Sequence, residues 1–191
     1  MRSFRTTLFC CSLPLLSPAF AAEPAPLVRY PSPKGDLVVL VERHPEKADT
    51  VRLEGVSGKV FLTLAVEDEV KQGRAKEGSV LWNAAGDGVA FAVGNSRLFD
   101  AHAFIRTKEG WKHLKLPKPG DAGKTVWDSY HSVPSEWQGN RLSLVVSGSH
   151  SGEAGAPRFS GSMMVAIDVE GGSAKKVAED IVTVVPDKES R

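Results

Sequence analysis

The sequence repeats a short turn followed by an apolar run, and this repeat limits the possible folds more than any other feature. SPKGDLVVLVE at residues 32–42 is followed by NAAGDGVAFAV at residues 83–93, and a third, weaker copy begins near residue 135. The turn glycines of the three copies are Gly35, Gly86 and Gly139. Glycine followed by Asp or Asn favours a tight turn, because these residues tolerate positive φ. The sequence therefore predicts three related turns, each leading into a strand.

The strand after each turn is mostly apolar on both faces. Aligned positions are Val38, Val89 and Leu142 on one face, and Val39, Ala90 and Ser143 on the other. Strands of this kind lie between two layers of a protein. Each is followed by a second strand, then a hairpin and a third strand. The hairpin glycines are Gly58, Gly110 and Gly172.

A period of about fifty residues with several strands per unit is typical of β-propeller blades and related β arrays. No unit shows the sustained 3.6-residue apolar rhythm of a helical repeat. We therefore predict one all-β domain at residues 22–191, built of antiparallel units at about residues 27–65, 79–117 and 133–185.

Two of the copies resemble the blades of TolB-type (WD-like) β-propellers. The residues concerned are Ser32–Asp36 and Leu81–Asp87, each with the strand that follows. In that family a Ser-Pro-Asp-Gly-like turn precedes a strand, and a glycine hairpin joins the last two strands of the blade. The resemblance covers about 150 residues as three imperfect copies, of which only the first keeps Ser-Pro. It implies propeller-like blades and says little about activity, because one fold supports many functions.

Three units are fewer than a closed propeller requires, since closed propellers have at least four blades. Three blades can stand open, two chains can complete a six-bladed ring, or the units can pack as a β-sandwich. Open blades leave apolar faces bare and favour self-association, so a homodimer is one expectation. We also expect residues 181–185 to pair with residues 27–30 and cover a sheet edge.

Residues 1–21 have the three parts of a secretory signal peptide. Arg2 and Arg5 form a basic start, a short apolar core follows, and the segment ends in Ala19-Phe20-Ala21. We expect cleavage after this end and a periplasmic or secreted protein. Because Cys10 and Cys11 lie in this segment, the mature chain would have no disulfide, thiol nucleophile or cysteine metal site.

Charge and composition narrow the range of partners. Without Arg2 and Arg5 the chain has 22 Lys and Arg against 23 Asp and Glu, a formal charge of −1. No basic stripe indicates a nucleic-acid partner. No later apolar run is long enough to span a membrane. The histidines lack metal-ligand spacing, and no intact cofactor motif is present, so we predict neither metal nor cofactor.

Aromatic residues are concentrated in the segment before the third unit. Residues 125–137 contain Trp127, Tyr130, His131 and Trp137. Such a cluster can stack against a sugar or a peptide, because Trp and Tyr offer broad faces with one polar edge. Alternatively, the tryptophans fill gaps between the units.

The third unit is nine or ten residues longer than the other two between its turn and hairpin glycines. The extra residues lie within Ser147–Ser162, which includes His150 and Arg158. An insertion in one repeat often forms a loop on the binding face of an array. It can equally be a Gly/Ser-rich connector that the fold tolerates.

These features favour an exported, propeller-like binding or scaffold protein. It would recognise a peptide, glycan or envelope protein through loops that contain the two segments described above. No residue is assigned a catalytic role. One alternative is an exported hydrolase that uses His131 or His150. The other is a blade fragment that only assembles with itself or with another propeller.

Overall fold

The computed structural model describes residues 27–65, 73–95, 99–120, 129–149 and 157–184. Within these ranges the chain forms thirteen strands and no helix, which confirms the predicted all-β class. The described strands form three antiparallel sheets. Trp127 and His150 lie outside the described residues. In the described part of the chain, no helix has the length and apolar character needed to cross a membrane.

The three sheets follow one another along the chain. The first sheet has the order β1 (Leu27–Pro31), β2 (Leu37–Glu42), β3 (Thr50–Gly55), β4 (Val60–Ala65). The second sheet contains β5 (Arg74–Ala75), β6 (Leu81–Trp82), β7 (Gly88–Gly94), β8 (Phe99–Thr107) and β9 (Gly110–Leu114). Both β5 and β6 pair with β7, which then pairs with β8, and β8 with β9. The third sheet has the order β10 (Ser129–Gln138), β11 (Arg141–Ser149), β12 (Arg158–Asp168), β13 (Ser173–Val184).

All six glycines that the repeat places in turns and hairpins have positive φ, between 57° and 124°. In the first two sheets a polar side chain closes the turn, because Ser32 accepts a hydrogen bond from the amide of Leu37 (3.2 Å) and Asn83 from that of Gly88 (3.0 Å). The third sheet has a two-residue hairpin at Gly139 instead.

One backbone hydrogen bond recurs in all three sheets. The carbonyl of the residue after each turn glycine accepts it, and the donor is an amide at or just past the end of β3, β8 or β12. The pairs are Asp36 with Val56 (3.2 Å), Asp87 with Arg106 (2.7 Å) and Asn140 with Ile167 (2.8 Å). The three copies seen in the sequence therefore share this hydrogen bond, although their turns differ.

The second sheet lies between the other two, so its central strand, β7, is buried along its whole length. Against the first sheet it presents the larger side chains Val89, Phe91, Val93 and Phe104. Against the third sheet it presents Ala90, Ala101, Ala103, Ile105 and Leu114. Burial of both faces is the arrangement expected for strands that are apolar on both sides.

The predicted pairing of residues 181–185 with residues 27–30 is wrong. Residues 181–184 are the end of the long strand β13 and pair with β12, where Ile181 lies opposite Gly161. Strand β1 pairs only with β2 in the described part of the chain. The sequence from Ser173 to Val184 contains neither glycine nor proline, so nothing in it forces the strand to end.

Candidate functional site

Four of the six candidate site residues lie in the third sheet. Tyr130, His131 and Trp137 belong to β10, and Arg158 is the first residue of β12. Because side chains alternate along β10, Tyr130 packs against the core between the second and third sheets, and His131 lies on the opposite face of the strand. Lys118 places its ammonium group 5.8 Å from the centre of the Tyr130 ring.

Trp137 joins the third sheet to the second. Its ring packs against the core between these sheets, and its Nε1–H donates a hydrogen bond to the carbonyl of Leu81 (3.2 Å). Trp82 does the same one sheet earlier, where its Nε1–H donates to the carbonyl of Tyr30 (3.1 Å). The two tryptophans occupy equivalent positions, because each pairs with the second residue of the strand that follows its turn. Both therefore form part of the contact between neighbouring sheets.

His131 lies where the third sheet meets β8. The amide of Phe99 donates a hydrogen bond to its Nδ1 (3.2 Å), and the two rings lie 5.9 Å apart. Burial, with the positive charge of Lys76, lowers the pKa of His131. Because Nδ1 is an acceptor here, the neutral ring carries its hydrogen on Nε2, which can donate to a ligand.

A shallow depression of about 600 Å³ opens beside His131 at one end of the third sheet. Its principal lining side chains are His131, Arg158, Ser147, Ser149, Ser160 and Val184. The strand register explains why they meet. His131 pairs with Ser147, which pairs with Ser160, while Ser149, Arg158 and Val184 form the next row across the sheet.

The insertion predicted within Ser147–Ser162 is partly strand. Its first three residues extend β11 to Ser149, and β12 begins at Arg158. Residues 150–156 lie outside the described residues. The depression therefore lies at the ends of two long strands, and Arg158 belongs to the rigid sheet rather than to a loop.

Sequence reasoning did not select Ser147, Ser160 or Val184 as site residues. The signal that identifies the two serines is alternation with apolar neighbours, since Val146 and Phe159 are buried while Ser160 is exposed. Val184 joins the site through pairing with Arg158, which a single sequence does not reveal.

The described residues at the depression do not form a Ser-His-Asp triad. In a Ser-His-Asp triad, histidine Nδ1–H donates to a carboxylate that orients the ring. In this structure His131 Nδ1 accepts a backbone hydrogen bond instead, and no Asp or Glu is among the described lining residues. The described residues also contain no group of three or more His, Cys, Asp or Glu side chains that could hold a metal ion.

A hydrogen-bonded pair of histidines lies away from the depression, on the second sheet. His102 Nδ1 and His113 Nε2 are 3.2 Å apart, so one ring donates a hydrogen bond to the other. His102 stacks on Phe91, and His113 stacks on Phe104 with the ring centres 4.5 Å apart. Burial, and secondarily the neighbouring His113, lowers the pKa of His102 from 6.5 to about 4. Burial also lowers the pKa of His113, although Asp100 opposes that shift.

The lowered pKa of His102 predicts that acid destabilises the fold. His102 is neutral in the folded state, whereas the unfolded chain binds a proton near pH 6.5, so its contribution is lost as the pH falls from 6.5 to about 4. We expect the loss to be about 2 kcal/mol, because partial exposure of the ring reduces the full value. Urea unfolding at pH 7.5 and pH 4.5 should show a smaller loss for His102→Phe than for the wild type. Equal losses in the two proteins would show that other groups govern acid sensitivity.

Neither the models of known protein families nor the sequences of curated proteins show a match to this chain. The fold and the site therefore define its class by themselves. It is an all-β protein of three stacked antiparallel sheets with a depression at the end of the third sheet, lined by Arg, His and Ser.

Proposed function

We propose that this is an exported binding protein that recognises a peptide, glycan or envelope protein at the depression beside His131 and Arg158. The observation that carries the proposal is the convergence of these two residues. They come from separate segments of the sequence, and the pairing of β10, β11 and β12 brings them to one wall of a surface depression. Binding sites commonly combine a few polar groups with apolar surface, which Val184 supplies here.

The architecture supports a scaffold role for the rest of the chain. Each sheet carries a turn with a positive-φ glycine and the same carbonyl-to-amide hydrogen bond, and we propose that the three sheets are repeated, propeller-like units. Site residues on the strands of a packed scaffold are held more precisely than residues on loops. The signal peptide proposed at residues 1–21 would deliver this scaffold to the periplasm or to the outside of the cell.

A blocking variant tests the site. The mature chain should bind at least one member of a panel of envelope peptides and glycans, measured by biolayer interferometry. Ser160→Trp places a large ring in the depression and should weaken that binding at least tenfold, or about 1.4 kcal/mol. Ser57→Trp, in an exposed hairpin of the first sheet, is the matched control and should leave the affinity unchanged.

Two results would contradict the proposal. One is a wild-type protein that binds no panel member. The other is a Ser160→Trp variant that binds as tightly as the wild type while its thermal unfolding is unchanged, because the ligand would then lie elsewhere.

A further inference from the structure

We propose that the depression beside His131 binds the carboxylate of an acidic peptide, with Arg158 as the residue that pairs with it. This inference rests on the proposed function and adds the chemical class of the ligand.

Arg158 brings a positive charge to the depression, and the described residues do not compensate it. The exposed guanidinium of Arg158 has no ion pair or hydrogen bond within the described residues. The described lining of the depression includes no carboxylate. Among the described residues of the sheet, the nearest acidic position in the register is Asp180, which lies opposite Ser162, two residues beyond Ser160 on β12. Lys76 adds positive charge on the side of the second sheet, since its ammonium group lies 5.2 Å from the Phe99 ring that contacts His131.

A second cleft shows what charge compensation looks like in this molecule. It lies between the β8–β9 and β12–β13 hairpins and holds Arg106, Lys108 and Lys112 together with Glu109 and Glu170. Lys112 also donates a hydrogen bond to the carbonyl of Gly171 (3.4 Å). Positive charge in that cleft has acidic neighbours and a backbone partner, whereas Arg158 has neither among the residues that the structure describes.

The balance of hydrogen-bond donors and acceptors at the depression favours a carboxylate as the ligand. Arg158 offers only N–H donors, in a planar fork that matches a carboxylate. His131 offers Nε2–H, because its Nδ1 is already an acceptor. The hydroxyls of Ser147 and Ser160 can donate as well. A carboxylate accepts from all of these groups, whereas a neutral hydroxyl would also need acceptors.

The apolar surface next to Arg158 favours a peptide over an acidic sugar. Val184, which is 58% exposed, lies directly across the strand pair from Arg158, and Val182 (61% exposed) continues the same side of β13. An acidic residue flanked by apolar side chains can occupy the charged and apolar surfaces together. A sugar ring with hydroxyls on its rim would instead leave these valines against polar groups.

The test compares two labelled peptides, one alternating Glu and Val and the other alternating Gln and Val, by fluorescence anisotropy. We expect the Glu peptide to bind wild-type protein at least tenfold more tightly, the ratio that a charge-assisted hydrogen bond supplies. Arg158→Gln should abolish this preference, so that the two peptides bind with about equal affinity. Lys108→Gln removes a positive charge from the second cleft and is the matched control, which should keep the preference. A galacturonate oligomer provides the glycan arm.

Equal binding of the two peptides, or a preference that survives Arg158→Gln, would overturn the inference. Binding of galacturonate but not of the Glu peptide would overturn it in favour of a glycan. Ser160→Trp separates these failures from failure of the proposed function. If it blocks a neutral ligand whose binding does not depend on Arg158, the depression is a binding site and only the ligand class is wrong. If it blocks nothing, both proposals fail.

Discussion

Replacing Phe91 with alanine is expected to lower the free energy of unfolding by about 4 kcal/mol, the largest effect of a single truncation that we anticipate. Phe91 lies in β7 and is 1% exposed. Its ring stacks against Phe104, with the ring centres 5.7 Å apart, and against His102 at 6.0 Å. Because the second sheet is packed on both sides, the layers have little freedom to close the cavity that the truncation leaves.

Urea unfolding of the mature chain, followed by tryptophan fluorescence, measures this effect. Phe61→Ala is the matched control, because Phe61 is 39% exposed on the edge strand β4 and should cost less than about 1 kcal/mol. Similar losses for the two variants would contradict the three-layer arrangement, since Phe91 would then have no more buried surface to lose than Phe61.

The features of the fold that were predicted from the sequence are those set by short-range physical chemistry. A glycine followed by Asp or Asn marks a position of positive φ, and the three such glycines, Gly35, Gly86 and Gly139, all have positive φ. The three glycines predicted in hairpins have positive φ as well. A short, mostly apolar run identified the strand after each turn, including β7, both faces of which are buried. Because both signals lie within a few residues, they can be recognised without knowledge of the tertiary structure.

Features held by distant contacts were not predicted. Strands β5 and β6 have two residues each and show no recognisable pattern, because pairing with β7 defines them. The pairing proposed for residues 181–185 failed for the same reason, since partner choice between strands depends on the whole sheet. For Trp137 the sequence left two alternatives open, and its contact with the second sheet agrees with the one in which the tryptophans fill gaps between the units.

The candidate site shows the same division. His131 was selected from an aromatic segment and Arg158 from an insertion, as members of two separate candidate surfaces. The register of β10, β11 and β12 joins them in one depression and adds Ser147 and Ser160. Composition indicates which residue types can bind a ligand, but strand register determines which of them meet.

Asp49→Ala is expected to cost about 3 kcal/mol, at the lower end of the range for breaking a buried ion pair. The carboxylate of Asp49 is fully buried and accepts hydrogen bonds from the Arg74 guanidinium (3.0 Å) and the amide of Ala75 (2.9 Å). The backbone amide of Asp49 donates to the carbonyl of Gly73 (2.8 Å). These bonds attach the β2–β3 connection of the first sheet to β5 of the second sheet. Since the Arg74 side chain is 34% exposed, its charge can turn to water when the carboxylate is removed, which limits the loss.

Two companion variants separate the contributions at Asp49. Asp49→Asn can still accept from the Ala75 amide but loses the charge, so its cost should fall between that of Asp49→Ala and zero. Glu46→Ala, an exposed residue in the same connection, should stay within about 0.5 kcal/mol of the wild type. Hydrogen exchange adds a local readout, because the amide of Ala75 should lose protection in Asp49→Ala more than amides in the third sheet do. Equal loss of protection in all three sheets would mean that Asp49 supports the fold as a whole rather than the attachment of the short strand β5.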